Sequence, residues 1–404
     1  MQQWQSPEKM SLILPKVPWA GVATNETSGF RHIEFHTIQP NHTLDVLVRI
    51  YGFQIIAQRT TLNYSQWFLE SYECQLLISS LLNSDLNDEI ISSNNYYDIL
   101  TPIIRNQTTR DLILDRDTVF NIALHVKSIQ SILDKNSDVQ VLVSLRHAID
   151  EYGSIEYACI KSCIGNVVHT LIDTSQYSGS CLPGFTPVSI SRQNEFTPLM
   201  IHGIDHIAFA VDKHSALSSI AWYEKIFGMK RFMVNQGDDP FQGFTVRLGT
   251  VGMRLFASEY WKCAETACVN GKKLKCKIGF CLFPGSSDQI ATFINKHKGQ
   301  AGIIQHMGFT CTDNIKHAVR ITKANVAQLL SRLVDYYLQE NNGRVIEEAG
   351  ENVSELAELG ILLDNEANDC DRLCSNKRRG ATGFGAGNIR NLWKIVQQQV
   401  NGET

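Results

Sequence analysis

Hydrophobic and polar residues alternate along four short stretches of the chain: Arg31–His36, Phe120–Val126, Asp205–Val211 and Gln305–Thr310. A period of two puts every second side chain on one face, so each stretch predicts a β-strand with one buried side. Each is followed by a stretch of helical character. After the first, the pattern runs from Thr43 to Tyr51 and stops at Gly52; after the third it runs from Ala216 to Phe227 and stops at Gly228. A glycine just past the last apolar position is a helix stop. Strand-like runs resume over Phe244–Phe256 and Lys277–Phe283.

The four alternating stretches are an internal repeat, with starts near residues 31, 120, 205 and 305. The unit is one strand, one helix and two or three further strands, so the chain predicts four βαβββ modules of an α+β fold. A module this small buries little by itself, and pairing modules makes a domain. Two domains follow, 29–190 and 200–404, joined through the turn-rich segment from Leu182–Pro187 onward. Residues 1–28 read as a loose extension holding three prolines. Most of residues 82–115, rich in Asn, Ser and Asp with isolated isoleucine pairs, reads as a surface insertion.

Composition changes this picture little. At 404 residues the chain exceeds one typical core. A net charge of -4 and a pI near 6.3 argue against nucleic acid or an anionic membrane surface as partner. No apolar run is long enough to span a bilayer. The eleven cysteines are scattered. Cys263, Cys268, Cys276 and Cys281 cluster without a Cys-x2-Cys pair, and read as thiols of a reduced compartment before a zinc site. The N-terminal extension has no arginine before Arg31, so it gives only weak support to a mitochondrial presequence; the cytoplasm is the alternative.

Candidate chemistry enters through the repeat. His206 and His306 hold the same place in the third and fourth stretches, where the first two have His32 and Asn121. If the third and fourth modules pair, both imidazoles face one cavity. Two histidines and a carboxylate around open positions form the ligand pattern of non-haem iron(II) sites. A histidine in a strand is more often a satisfied structural residue, so the pair alone leaves both readings open. One histidine in the first half against two in the second predicts a structural first domain and a metal-bearing second. Near the C-terminus, glycines 380, 383, 385 and 387 precede Asn388, a suitable N-cap, and a helix with Leu392, Ile395 and Val396 on one face. No Lys-Ser/Thr follows the glycines, which argues against a phosphate loop.

Arg31–His36, Asp205–Val211 and Gln305–Gly308, together with Leu182–Ser189, Asp288–Gly299, Leu359–Asp364 and Gly380–Gln399, resemble the 4-hydroxyphenylpyruvate dioxygenase and 4-hydroxymandelate synthase family of the vicinal-oxygen-chelate superfamily. The likeness runs along almost the whole chain, and the Gly-Phe-Gly-Ala-Gly-Asn run before a helix is its most specific part. The resemblance implies two vicinal-oxygen-chelate domains, a C-terminal helix closing the second, and Fe(II) held by His206 and His306. It implies an α-keto acid substrate that chelates the metal and is decarboxylated and hydroxylated with O2, in aromatic amino acid or quinone metabolism and in the mitochondrion. Gln289, Phe384 and Asn388 match positions near the substrate. Ile389 stands where homogentisate-forming members carry Phe, as in hydroxymandelate synthases, which implies 4-hydroxymandelate as product. A homo-oligomer is compatible with these features.

One segment departs from the family. Between the Leu-Leu-Asp stretch and the glycine run, family members have two strands, the second carrying the glutamate that binds iron. Here residues 365–379 are short, polar and charged, Cys374 falls at the glutamate position, and Glu366 and Asp369 match no ligand position. Two buried strands do not fit such a segment. This leaves two expectations: an active dioxygenase that recruits another carboxylate, or a non-catalytic aromatic-acid-binding protein on the same scaffold. A sequence joined across a missing segment would also account for the gap.

Overall fold

The computed structural model describes residues 27–82, 96–105, 116–188, 201–212, 215–232, 239, 241–248, 251–260, 278–279, 289–297, 302–311 and 315–325. In chain order the first half runs β1 (Thr27–His36), α1 (Pro40–Asp45), a π-helical turn (Val46–Ile50), β2 (Gln54–Thr60), β3 (Tyr64–Ser71), β4 (Cys74–Leu81), α2 (Leu100–Arg105), β5 (Thr118–Val126), α3 (Ile129–Lys135), β6 (Val141–Asp150), β7 (Gly153–Lys161), β8 (Val168–Tyr177) and β9 (Thr186–Pro187). The second half runs β10 (Ile201–Val211), α4 (Ala216–Phe227), β11 (Met229–Phe232), β12 (Phe244–Leu248), β13 (Val251–Leu255), β14 (Ala257–Tyr260), β15 (Ile278–Gly279), α5 (Gln289–Lys296), β16 (Gly302–Cys311) and α6 (Ile315–Asn325).

All four alternating stretches are strands, β1, β5, β10 and β16, and each is followed by a helix. α4 spans the expected residues and ends at Gly228, whose left-handed backbone lets its N–H reach the Glu224 carbonyl. The first helix starts earlier than its apolar periodicity suggests, at Pro40. Proline fits there because the first turn has no use for its missing N–H. The run Phe244–Phe256 is broken into the antiparallel pair β12–β13.

Nine strands form one mixed sheet in the order β6-β7-β8-β5-β1-β4-β3-β2-β9. β1 lies at its centre, antiparallel to β5 and parallel to β4. In the second half β10 plays the same part, antiparallel to β16 and parallel to β15. One core continues across both halves. Ile33, Leu69, Ile78, Ile122 and Leu171 of the large sheet pack with Ile207 and Phe209 of β10 and with Tyr223 and Phe227 of α4. At that junction the Tyr223 hydroxyl donates to His169 Nε2 at 2.9 Å, while His169 Nδ1 donates to the Ile122 carbonyl at 3.3 Å.

Two stretches take a definite place in the structure. Within the segment 82–115, most of which reads as a surface insertion, the described residues 96–105 are largely buried. Tyr97, Ile99, Leu100, Ile103 and Ile104 are buried against Phe68, Leu77, Phe120 and Tyr157 on the other face of the large sheet. The isoleucine pair that looked isolated in a polar stretch is the apolar side of α2, and its burial decides the fold of that segment. The expected linker also begins inside the first half. Leu182 is buried, and Thr186–Pro187 pairs with β2 as the last strand of the sheet. A proline is tolerated there because an edge strand leaves one side without a ladder.

Candidate metal centre

The two central strand pairs share more than their order. Between β1 and β5 the register slips at Thr27/Gly29, Phe30/His32 and Glu34/Phe35. Between β10 and β16 it slips at Ile201/Gly203, Ile204/His206 and Ala208/Phe209. These are the same places in the repeat. His206 lies opposite Gly308 as His32 lies opposite Ala123, and His306 lies opposite Ala208 as Asn121 lies opposite Glu34. The internal repeat therefore extends to its bulges.

In the second half this register brings the two histidines together. Their Nε2 atoms are 3.2 Å apart and their rings stand at 89°. His206 Nδ1 lies 2.9 Å from Asp205 Oδ2, and His306 Nδ1 lies 3.2 Å from Gln305 Oε1. A carboxylate and an amide oxygen only accept, so both Nδ1 atoms carry the protons. When both rings are neutral, both Nε2 lone pairs then point at each other. Two such lone pairs repel, and a cation between them removes the repulsion. Two nitrogens bound to one cation at about 2.1 Å each, at a right angle, lie about 3 Å apart. The donor set thus fits two of the ligands of a divalent metal. Partial desolvation, and next the facing His206, lower the pKa of His306 to about 4.

Among the described residues no group of three histidine, cysteine or carboxylate side chains completes this pair. Gln289 opens α5, but its side chain lies outside the described residues, as do Phe384, Asn388, Ile389, Glu366, Asp369, Cys374 and the cysteine cluster from Cys263 to Cys281. Among the described residues no helix is long and apolar enough to cross a membrane.

The counterpart position in the first half is closed. His32 is fully buried between Phe68 and Tyr97, with its Nε2 3.5 Å from the Tyr97 hydroxyl. Burial, and after it the charge of Arg31 and the nearby His125, pushes its pKa well below the ordinary histidine value. Glu34 beside it is also fully buried. It accepts from Ser79 Oγ at 2.6 Å, Gln66 Nε2 at 3.1 Å and Asn121 Nδ2 at 3.1 Å. Asn121, in the place of His306, accepts from the backbone N–H and hydroxyl of Thr170. These contacts occupy the side-chain oxygens of Glu34 and Asn121 and one nitrogen of His32.

Asp205, Gln305 and Gly308 are contributors that sequence reasoning passed over, although all three lie inside the quoted motifs. Neighbouring residues in a regular strand point to opposite faces. Asp205 and Gln305 are the extra residues of two bulges, which turn them toward the histidine that follows each. The signal was an acceptor directly before each histidine, legible only once the bulges are known.

No family model matches the chain. The 4-hydroxyphenylpyruvate dioxygenase-like protein of Homo sapiens is 28% identical over 395 residues, covering 91% of this chain and 96% of that protein. The 4-hydroxyphenylpyruvate dioxygenase of Dictyostelium discoideum is 27% identical over 304 residues, 70% of this chain and 78% of that protein. Among solved structures, a triple mutant of 4-hydroxymandelate synthase from Streptomyces coelicolor superposes with a TM-score of 0.64 at 17% identity, covering 93% of this chain and 99% of that one. That likeness shows a shared α+β fold. With relatives of one name spanning nine-tenths of its length and the expected motifs on its central strands, the chain is similar to the 4-hydroxyphenylpyruvate dioxygenase-like proteins and the 4-hydroxyphenylpyruvate dioxygenases.

Proposed function

We propose that the chain is an iron(II)-dependent dioxygenase that converts 4-hydroxyphenylpyruvate with O2 to a decarboxylated, hydroxylated aromatic acid, with 4-hydroxymandelate favoured over homogentisate. The observation that carries the reading is the histidine pair, whose Nε2 atoms face each other at 3.2 Å with both Nδ1 protons already accepted elsewhere. Iron held there would supply oxygen activation and a charge for the two oxygens of an α-keto acid. The residues of the chain do the rest. His206 and His306 would bind the metal, and Asp205 and Gln305 orient their rings. Gln289 and Asn388 would orient polar groups of the substrate, and Phe384 would wall its ring. Ile389 would leave room that brings the benzylic carbon, rather than the ring, to the reacting oxygen.

The division into a structural first domain, 29–190, and a catalytic second domain, 200–404, belongs to this proposal, as does a mitochondrial location with the cytoplasm as alternative. Support for the domain roles comes from the closed site around His32 and Glu34 against the facing pair in the second half.

A second reading is an aromatic-acid-binding protein without turnover. It is favoured by Cys374 where the family's ligand glutamate falls. One experiment separates the two: iron content and oxygen uptake of the purified chain with 4-hydroxyphenylpyruvate, with products resolved by chromatography. Iron near one per chain with 4-hydroxymandelate appearing supports the enzyme. A folded sample that takes up no iron and no oxygen refutes it. An Ile389→Phe variant should move product toward homogentisate, and an unchanged product ratio would remove Ile389 from the specificity argument.

A further inference from the structure

We infer that Asp205 and Gly308 are positioning residues for His206, one setting its tautomer and the other the place of its ring. The inference rests on the reading of the histidine pair as a metal centre and names what holds one of its ligands in shape.

Asp205 occupies the bulge between Ile204 and His206. Its Oδ2 lies 2.9 Å from His206 Nδ1, and both side chains are mostly shielded, at 29% and 20% exposure. A carboxylate on Nδ1 keeps the proton there, leaves the lone pair on Nε2 and makes that nitrogen more basic. Among the described residues the two imidazoles have no carboxylate beside them at the centre, so this carboxylate is also negative charge delivered through a ligand.

Gly308 lies directly across from His206 in the neighbouring strand. A Cβ built on Gly308 would come within 2.3 Å of His206 Cε1 and 2.5 Å of its Nδ1. The ring of His206 therefore lies over the bare backbone of β16. This is a demand for space: Gly308 is not among the glycines with a left-handed backbone. An alanine there would leave the strand intact and push the ring aside, away from His306.

The first half shows the same framework without these two devices. The bulge before His32 holds Arg31, whose guanidinium donates to the Cys181 carbonyl at 2.6 Å. His32 Nδ1 has no hydrogen-bond partner among the described residues. Ala123 occupies the position of Gly308.

The test uses the full chain in metal-free form, with 15N-labelled histidine, above pH 8 where neutral imidazoles report their tautomer. Cobalt(II) titration follows on the same samples. In the unsubstituted chain His206 should show the Nδ1–H form. Asp205→Ala should give mixed tautomers, and Asp205→Asn, which keeps an accepting oxygen, should restore the single form. Asp205→Ala and Gly308→Ala should each weaken cobalt binding about 10–100-fold. Gly203→Ala serves as control, since its Cβ would meet only Thr310 Oγ1 at 3.6 Å. An unchanged tautomer in Asp205→Ala, or cobalt affinity in Gly308→Ala equal to that of Gly203→Ala, overturns the inference. If the unsubstituted chain takes up no cobalt, the metal reading fails, and the tautomer in Asp205→Ala then decides the role of Asp205 by itself.

Discussion

Asn121 faces Glu34 across β1 and β5 at the register position where His306 faces Ala208 across β10 and β16. The two halves share a backbone down to its bulges, and they differ in what fills the centre. In the first half Asn121 and Gln66 both donate to the Glu34 carboxyl, while Arg59 donates to Gln66 and to the Tyr97 carbonyl. In the second half two imidazoles point their Nε2 atoms at each other. One framework therefore holds a packed polar network in one half and a facing pair of imidazoles in the other.

The closed network makes stability depend on pH in a direction opposite to ordinary carboxylates. Desolvation raises the Glu34 pKa to about 7, against the lowering by its hydrogen bonds from Ser79 and Asn121 and by the charge of Arg59. The folded chain keeps a proton that the unfolded chain releases near 4.5. This contribution is complete below about 4.5 and is lost as pH rises through about 7, a difference on the order of 3 kcal/mol. Urea unfolding between pH 4 and 9 should show this fall. Glu34→Gln should lack it; a wild-type slope in that variant would remove Glu34 as its cause.

The junction between the halves has the reverse dependence. His169 is neutral, its pKa lowered to about 3 chiefly by burial, with the charge of Lys161 assisting and the hydrogen bond to Ile122 opposing. Its stabilising share is present above about 6.5 and is lost as pH falls toward about 3. Between 4.5 and 6.5 it offsets the Glu34 term, so the two must be separated by variants. Tyr223→Phe removes the hydroxyl that donates to His169 Nε2, and should cost about 1–2 kcal/mol at pH 7. His169→Gln should flatten the acid limb seen in the parent. An acid limb of unchanged steepness in His169→Gln would place its origin elsewhere.

The strands were legible from alternation because each central strand has one face on the shared core and another on its own site, as Ile33 and Glu34 illustrate. Gly228 was legible because only a left-handed residue ends α4 that way. The burial of Tyr97–Ile104 was not, since its apolar residues sit in a polar stretch and gain their partners from β3, β5 and β7, far away in sequence. His206 and His306 were legible through the repeat. Asp205, Gln305 and Gly308 were not, because their roles depend on two bulges and on one side chain lying across another strand's backbone. Such relationships have no period in the sequence.

Gly302 begins β16 where the two halves meet. Its φ of 135° is outside the range of ordinary side chains. A Cβ would stand 2.8 Å from the Ala210 carbonyl oxygen and from Val211 Cγ1, and 3.1 Å from Ile164 Cγ2. Strain and overlap act together, and Gly302→Ala should cost about 2–3 kcal/mol. Gly203→Ala, whose Cβ would make only an ordinary contact with Thr310 Oγ1, should stay within about 1 kcal/mol. Denaturant midpoints of the two variants check the contrast, and equal midpoints would contradict the close approach at Ile164.

The difference between the two halves can be read in one thermal experiment. A metal that binds only the folded chain stabilises it by about 2.7 kcal/mol at one hundred times its dissociation constant. Anaerobic iron(II), or cobalt(II) in its place, should raise the unfolding midpoint, and a chelator should reverse the rise. His306→Ala should abolish the rise while leaving the metal-free midpoint little changed, because His306 is not part of the buried core. His32→Ala should do the opposite. It would leave a cavity beside Phe68 and Tyr97 and lower the metal-free midpoint, yet keep the full metal-dependent rise. If His32→Ala lost the rise and His306→Ala kept it, the assignment of the metal to the second half would be wrong.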